Sequence, residues 1–384
     1  MGIQICGMRI LLVGNDLSDA QQSMTRYAAW LERLLNARGY KVSLIRPHAV
    51  FSRLAGHGTL RKYLGYIDKF LLFPPHLRRQ AGKSDLVHVL DHSNAMYLRW
   101  AGKRPSLITC HDMLAIRAAR GEFAEAPTGW TGRILQRWIL AGLCRASHLL
   151  CVSAKTASDL IALTGENGAQ VRVIRTALNW SYSAGGELSE PLRARLGLKP
   201  GEVYLLHVGG DQWYKNRRGV VEIFARLVAM EEFTSLRLVM AGRNWPVTLR
   251  RRVEELHLQG LVVEATGLSN EELRALYCNA WALLFPSLQE GFGWPIIEAQ
   301  ACGCPVITSA RAPMTEVAGD AAVFIDPVDA QSAAASIAAG MRQRDKLRQA
   351  GHENLHRFDE EQVADQYCAF YDEILHVGAR LPRR

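Results

Sequence analysis

Short apolar runs alternate along the chain with longer stretches in which apolar positions recur every three to four residues. Runs at 9–13, 41–45, 86–90, 107–110, 149–152 and 171–174 predict strands, and 22–38, closed by Gly39, predicts an amphipathic helix. Residues 180–201 are polar and punctuated by Gly and Pro, with Ser183-Ala184-Gly185-Gly186-Glu187 among them, which predicts a linker. The alternation then restarts, with strands at 203–208, 236–240, 261–263, 281–285, 306–308 and 322–325 and helices at 219–230, 329–344 and 360–374. Strands separated by helical patterns imply parallel sheets with crossover helices. The expected architecture is α/β: two Rossmann-like doubly wound domains, 1–180 and 202–358, a linker at 181–201, and a closing helix and tail at 359–384. Two such domains are expected to face each other across a cleft at the carboxyl ends of their sheets.

Composition agrees with globular domains: of 384 residues, 48% are hydrophobic and 22% charged. No apolar run approaches the ~20 residues of a spanning helix, and 10–13 is too short for the apolar region of a secretory signal. Eight cysteines, several within apolar elements (Cys110, Cys144, Cys151, Cys302), suggest buried thiols in a reducing, cytoplasmic setting. Cys302 and Cys304 form C-x-C without a second pair or a His, so no metal site is expected.

The net charge of +9 is unevenly spread. Residues 1–184 hold 24 Lys and Arg against 11 Asp and Glu, a balance of +13, whereas 185–384 hold 22 against 26, a balance of −4. The basic half is expected to face an anionic partner: nucleic acid, a phospholipid surface or a phosphorylated acceptor. Nucleic acid asks for aromatic and basic residues interleaved on one exposed face. Trp30, Trp100, Trp138 and Trp281 instead occupy apolar, core-like positions, so no nucleic-acid partner is expected. Residues 51–83 concentrate seven cations (Arg53, Arg61, Lys62, Lys69, Arg78, Arg79, Lys83) against one acid, Asp68. Leu60, Leu64, Ile67 and Leu71 recur among them at helical spacing, which fits a core-packing helix with a solvated basic face as well as it fits an anionic membrane surface as partner.

The most informative stretch is 281–303, where an apolar strand runs into Gly291 and Gly293, then Pro295 at a helix start, then a short helix ended by Gly303. A strand, a glycine loop and a helix N-terminus together favour an anion. Glu290 precedes the loop and Glu298 lies about one turn into the helix. Carboxylates repel a phosphate but accept hydrogen bonds from sugar or ribose hydroxyls. A turn cap at Glu290 and a favoured helix start at Glu298 explain the same residues equally well.

This block, "FPSLQEGFGWPIIEAQACGCPVITS", resembles the E-x7-E signature of the family 4 retaining glycosyltransferases, which have the GT-B fold. Further likenesses are "VRVIRTALN" (171–179), "LLHVGGDQWYKN" (205–216), "EATGLSNEELRALYCNAWALLFPS" (264–287), "EVAGDAAVFIDPVD" (316–329), "TCHDM" (109–113) and "VSAKTASDLI" (152–161). The resemblance implies a closing helix that crosses back to the first domain. It implies that Glu290, with the backbone of Gly291, Phe292 and Gly293, holds the donor sugar, and that Glu298 holds the ribose. It further implies that Gly209, at the end of the donor-domain strand, belongs to the donor site, that Lys215 neutralises the donor diphosphate, and that His111 faces the anomeric centre and donor sugar. Read without the resemblance, His111 is as well explained as a satisfied histidine beside Asp112. Two departures stand out. Gly210 occupies the place where the family usually has Arg, leaving Arg218, or Arg217, as the second cation. The first loop, with Gly14, Asn15 and Asp16, lacks the family's paired glycines, and a role at the acceptor or a phosphate is open.

Neither opening strand is followed by G-x-G-x-x-G, which argues against a dehydrogenase, and no D-x-D occurs to hold a metal-bound diphosphate. The expected protein is a metal-independent, retaining hexosyltransferase without cofactor. It would use a nucleotide-sugar donor, GDP-mannose slightly favoured through "Tyr-Lys-Asn", and a saccharide or lipid-linked saccharide acceptor of a cell-envelope polysaccharide. It would act in the cytoplasm, peripherally at the inner face of the membrane. The alternatives are a GT-B nucleotide-sugar epimerase or hydrolase and, more remotely, a basic-surface nucleic-acid-binding protein.

Overall fold

A computed structural model describes residues 7–19, 21–54, 59–165 and 168–380. The chain forms two compact units, Met1–Trp180 with Glu360–Arg384, and Ser181–Asp359. The first carries strands β1 (Arg9–Val13), β2 (Lys41–Ile45), β3 (Leu86–Val89), β4 (Ser106–Cys110), β5 (His148–Cys151) and β6 (Gln170–Val173). All pair in parallel in the order β2-β1-β3-β4-β5-β6. Side chains alternate across a strand, and β1 shows the consequence. Ile10 and Leu12 join a core with Tyr27, Trp30 and Leu31, while Leu11 and Val13 join another with Val87, Ile108 and Leu149.

The closing helix, Glu360–Arg380, is part of the first unit's core. Tyr367, Phe370, Tyr371 and Ile374 pack with helix Gln22–Ala37. The Tyr27 and Tyr367 hydroxyls meet at 2.8 Å, Trp30 Nε1 donates to Glu360 at 2.8 Å, and Arg38 pairs with Glu361 and Asp365. The His88 imidazole bridges Tyr371 Oη (2.6 Å) and Thr109 Oγ1 (2.7 Å).

The second unit carries β7 (Tyr204–Gly209), β8 (Arg237–Gly242), β9 (Val262–Ala265), β10 (Ala282–Phe285), β11 (Val306–Ser309) and β12 (Ala322–Ile325). They are parallel in the order β12-β11-β10-β7-β8-β9. In doubly wound sheets ligands bind beyond the carboxyl ends of strands where the winding reverses. That place is β1/β3 in the first unit and β7/β10 in the second.

Three expectations need correction. Residues 181–201 belong to the second unit and include helix Glu190–Leu196, capped by Ser189 and ended by Gly197 in the left-handed region. Leu188, Leu192, Leu196 and Leu198 are buried there, which outweighs the polar composition. The leucine stripe of 60–71 is interrupted because helix Thr59–Ile67 passes through a π segment, Asp68–Leu72, before helix Phe73–Ala81. A π turn rotates the helical face beyond it, so Leu64 and Ile67 are half-buried while Leu71 is 66% exposed; the Leu60 and Lys62 side chains lie outside the described residues. Cys144, expected inside, is exposed at the end of helix Trp130–Leu143.

Candidate functional site

In the second unit the β7 and β10 ends bring Lys215 and Glu290 together. Lys215 lies in the 3-10 turn Trp213–Lys215, and its Nζ donates to Glu290 Oε1 at 2.7 Å. Both side chains are largely buried, at 16% and 8% exposure, and the ammonium also lies 5.1 Å from the Phe285 ring centroid. Asn216 holds this loop in place. Its Nδ2 donates to the carbonyls of Pro286 (3.0 Å) and Pro327 (2.9 Å), its Oδ1 caps helix Arg217–Val228 at Gly219 N, and Leu288 N donates to Tyr214 O at 2.7 Å. The basic loop is thereby tied to the loop that carries Glu290.

Gly209 and Gly242 face each other in register at the ends of β7 and β8. A Cβ on Gly242 would lie 2.0 Å from Gly209 O, and one on Gly209 would lie 2.9 Å from His207 Nε2. Only glycine fits this close approach. His207 is fully buried, its Nδ1 3.0 Å from Leu284 O, and burial pushes its pKa down to about 4. Gln212 Oε1 occupies the space that a side chain at Gly210 would take.

Beyond Glu290, Gly291 leads into Phe292, which is buried edge-to-face against Trp294 and Phe358, and Gly293 (φ 101°) starts helix Trp294–Ala301. Glu298, on that helix, is 6% exposed and accepts the Tyr277 hydroxyl at 2.8 Å. Burial first, and the adjacent carboxylate next, push the Tyr277 phenol well above its ordinary value. The two glutamates therefore have different partners, a cation for Glu290 and a phenol for Glu298. Arg218 is exposed and pairs along its helix with Glu222 at 2.9 Å, whereas Arg217 is buried and donates to Arg243 O at 3.0 Å. Asn216 lies within the Tyr-Lys-Asn run of the basic loop; nothing in the sequence pattern marks Tyr277.

In the first unit the ends of β1, β3 and β4 gather Asn15, Asp91, His92 and His111. Asp91 is buried and accepts Asn15 Nδ2 at 2.6 Å and Ser93 N at 2.8 Å, with His92 Nδ1 3.3 Å away. Asn94 Nδ2 donates to Asn15 Oδ1 at 2.8 Å. Burial alone would raise the Asp91 pKa, but the neighbouring histidines and the hydrogen bonds hold it below the ordinary carboxylate range. His111 is buried edge-on to Tyr27, and its Nε2 lies 2.9 Å from Leu90 O. A carbonyl only accepts, so Nε2 carries a proton. Burial lowers the His111 pKa, against the opposing pull of Asp91. Asp16 is buried, accepts Ser18 N at 2.9 Å, and is not joined to the Asn15–Asp91 pair by a hydrogen bond among the described residues. Asp91 organises this group: it caps its own turn through Ser93 N and reaches Asn15 from the loop after β1, and the sequence shows the cap but not the distant partner.

Among the described residues no three His, Cys, Asp or Glu side chains gather as metal ligands, and no helix is long and apolar enough to cross a membrane.

Two parallel six-stranded sheets wound in this way are the two Rossmann-like units of the GT-B fold. The family model "Glycosyltransferase Family 4" matches residues 24–180, and "Glycosyl transferases group 1" matches 189–357. The chain belongs to the family 4 glycosyltransferases. It is 28% identical over 294 residues to O-antigen chain mannosyltransferase B of Escherichia coli, covering 74% of each chain. It is 29% identical over 308 residues to O-antigen chain mannosyltransferase RfbU of Salmonella typhimurium, covering 80% of this chain and 77% of that one. Among solved structures, sucrose-phosphate synthase from Thermosynechococcus elongatus superposes with a TM-score of 0.76 at 20% identity, over 96% of this chain and all of the other (100%). Anabaena HepE in complex with UDP and glucose superposes with a TM-score of 0.70 at 16% identity, over 95% and 100%. These structural likenesses establish the fold.

Proposed function

We propose that this glycosyltransferase transfers a hexose from a nucleotide-sugar to a saccharide or lipid-linked saccharide during synthesis of a cell-envelope polysaccharide, with retention at the anomeric carbon. The observation that carries the reading is the Lys215–Glu290 pair at the β7/β10 reversal, with Glu298 held apart by Tyr277. A ligand bearing both phosphate and hydroxyls can take each member of the pair: the ammonium turns to the diphosphate and the carboxylate to sugar hydroxyls. Glu298, already receiving one hydroxyl, suits the ribose. Charge-assisted bonds of about 1.5–3 kcal/mol each, strengthening as the diphosphate departs, lower the barrier by one to two decades apiece. Front-face attack through an ion-paired oxocarbenium, with the departing phosphate taking the acceptor proton, accounts for retention without an enzymic nucleophile. The sequence has no D-x-D to hold a metal-bound diphosphate, which favours transfer without a metal, the cations of the protein taking its place.

The likeness to two O-antigen mannosyltransferases favours mannose as the sugar, and the Tyr-Lys-Asn run of the basic loop favours GDP as its carrier. A cytoplasmic enzyme docked on the inner membrane face would meet both substrates. The test is a panel of radiolabelled nucleotide-sugars with and without a crude lipid extract and with chelator. Label from GDP-mannose should pass into the lipid fraction only when extract is present, and chelator should not stop it. Release of free nucleotide at the same rate without acceptor would favour an epimerase or hydrolase instead.

A further inference from the structure

We propose that a pocket in the first unit, walled by Arg46, Arg53 and Arg61, receives a phosphate or diphosphate group carried on an apolar chain. The proposal rests on the reading that the acceptor is lipid-linked, and names how that acceptor's head is held.

The pocket encloses roughly 470 Å³ beyond the carboxyl end of edge strand β2, beside the loop after β1. That is the size range of small-molecule sites. None of the three arginines forms an ion pair with a described residue, whereas Arg9, Arg33 and Arg38 of the same unit all do. Two carboxylates share the lining, Asp16 and Glu32. Asp16 is buried and accepts the Ser18 N–H. Three cations thus outnumber two acids. Gathering unpaired guanidiniums costs stability through mutual repulsion, and an anion relieves that cost. Planar guanidinium forks match phosphate oxygens in pairs.

Two features build the wall. A Cβ on Gly14 would lie 3.1 Å from Arg46 Nε and 3.3 Å from its Cγ. Gly14 therefore clears the space in which Arg46 lies across the strand ends, a role that needs no second glycine. On the other side, Asp68 gathers the backbone N–H groups of Val50 (3.1 Å), Phe51 (2.8 Å) and Ser52 (3.0 Å) and the Ser52 hydroxyl (2.7 Å). The turn that carries Arg53 is fixed from beneath by this one buried carboxylate.

The same turn leaves apolar side chains in solvent: Val50 is 52% exposed, Phe51 38% and Leu54 79%. Leu17, from the loop after β1, lines the pocket and is 59% exposed. A free phosphate has no use for an apolar rim, and an apolar ligand has none for three arginines. An amphiphile uses both, the head inside and the chain along Leu17 and Leu54.

Calorimetry with farnesyl diphosphate, inorganic pyrophosphate and farnesol tests the assignment. Wild type should bind farnesyl diphosphate at least tenfold more tightly than pyrophosphate, and should not bind farnesol. Arg53→Gln with Arg61→Gln should weaken farnesyl diphosphate at least tenfold while leaving GDP binding unchanged and the melting temperature no lower than in wild type. Leu17→Ser with Leu54→Ser should bring farnesyl diphosphate down to the pyrophosphate level without altering pyrophosphate binding. Equal binding of pyrophosphate and farnesyl diphosphate would make this a free-phosphate site and overturn the proposal, as would wild-type affinity in the arginine variant. The two readings fail separately: sugar transfer to lipid with an unchanged acceptor KM in the arginine variant removes the pocket but keeps the transferase. Arginine-dependent farnesyl diphosphate binding in a protein that transfers no sugar keeps the pocket alone.

Discussion

Glu290 and Glu298 look equivalent in the sequence, yet one meets an ammonium at 2.7 Å and the other a phenol at 2.8 Å. Glu298→Ala should chiefly weaken binding of free nucleoside diphosphate, while Glu290→Ala should spare it and lower turnover at least tenfold. Titration calorimetry beside initial rates separates the two, and equal loss of nucleotide binding in both variants would sink the division of labour. His111 carries a different balance, because it is buried and its Nε2 proton meets Leu90 O. His111→Ala takes away the donor to buried Leu90 O and the edge contact with Tyr27, about 1–3 kcal/mol, and each kcal/mol lowers the melting temperature by about 2–4 °C in a unit of this size. Activity measured well below that temperature should nonetheless collapse. Residual activity that tracks the folded fraction would leave His111 a packing residue.

At the scale of elements, the π segment and the turn before it show how one residue redirects a surface. Asp68 is 1% exposed; burial alone would raise its pKa, but hydrogen bonds from Ser52, Phe51 and Val50 hold it below the ordinary carboxylate range. Asp68→Ala leaves those N–H groups without their acceptor, at about 1–3 kcal/mol for buried donors. Hydrogen exchange should then accelerate at residues 50–53 and in the neighbouring π segment, with the second unit's amides unchanged. Protection as in wild type would show that the turn holds without its carboxylate. The closing helix is the opposite case, anchored by Tyr367, Tyr371 and Glu360 against residues of the first helix and strands, far earlier in the chain.

Across the whole molecule, each unit buries a neutral histidine. Burial pushes His88 down to about 3 in the first unit and His207 down to about 4 in the second. An unfolded chain protonates these rings near pH 6.5, so the unfolded state gains protons that the native state refuses. Stability is therefore full above about pH 6.5 and falls as the pH is lowered toward 4. Thermal melts should show both units losing melting temperature over that window, and a flat profile from about pH 7 to 5 would contradict the burial of these rings as neutral bases. The basic first half bears on partners. Arg78 and Arg79 are exposed, as are Tyr63, Leu71 and Leu72, and Phe70 packs on Trp138 of helix Trp130–Leu143, whose Trp130 and Ile134 are 73% and 58% exposed. Each cation near an anionic leaflet is worth about 1 kcal/mol, reduced by salt. The protein should co-sediment with vesicles rich in anionic lipid, ignore neutral ones, and release above roughly half-molar salt, where the Debye length is a few Å. Arg78→Glu with Arg79→Glu should weaken sedimentation and preserve donor binding. Equal binding to neutral vesicles would assign the basic surface to another partner.

The twelve strands and two sheets among the described residues, and the glutamate loop, were legible in the chain itself because each depends on local pattern: apolar runs, caps, and glycines at strand ends. Even the helix at Glu190–Leu196 had its signals, with Ser189, Pro191 and Gly197 in place, and was hidden only by polar surroundings. Trp130 does not stand out in the sequence, because a tryptophan on an amphipathic helix reads as core until the packing partner of each face is known. Tertiary structure alone decided which groups meet: Lys215 with Glu290, Glu298 with Tyr277, Asn15 with Asp91, and Arg46 over Gly14. Periodicity places a side chain on a face of its own element. Its partner across a sheet end comes from strand order, and strand order is set by packing between segments far apart in the chain.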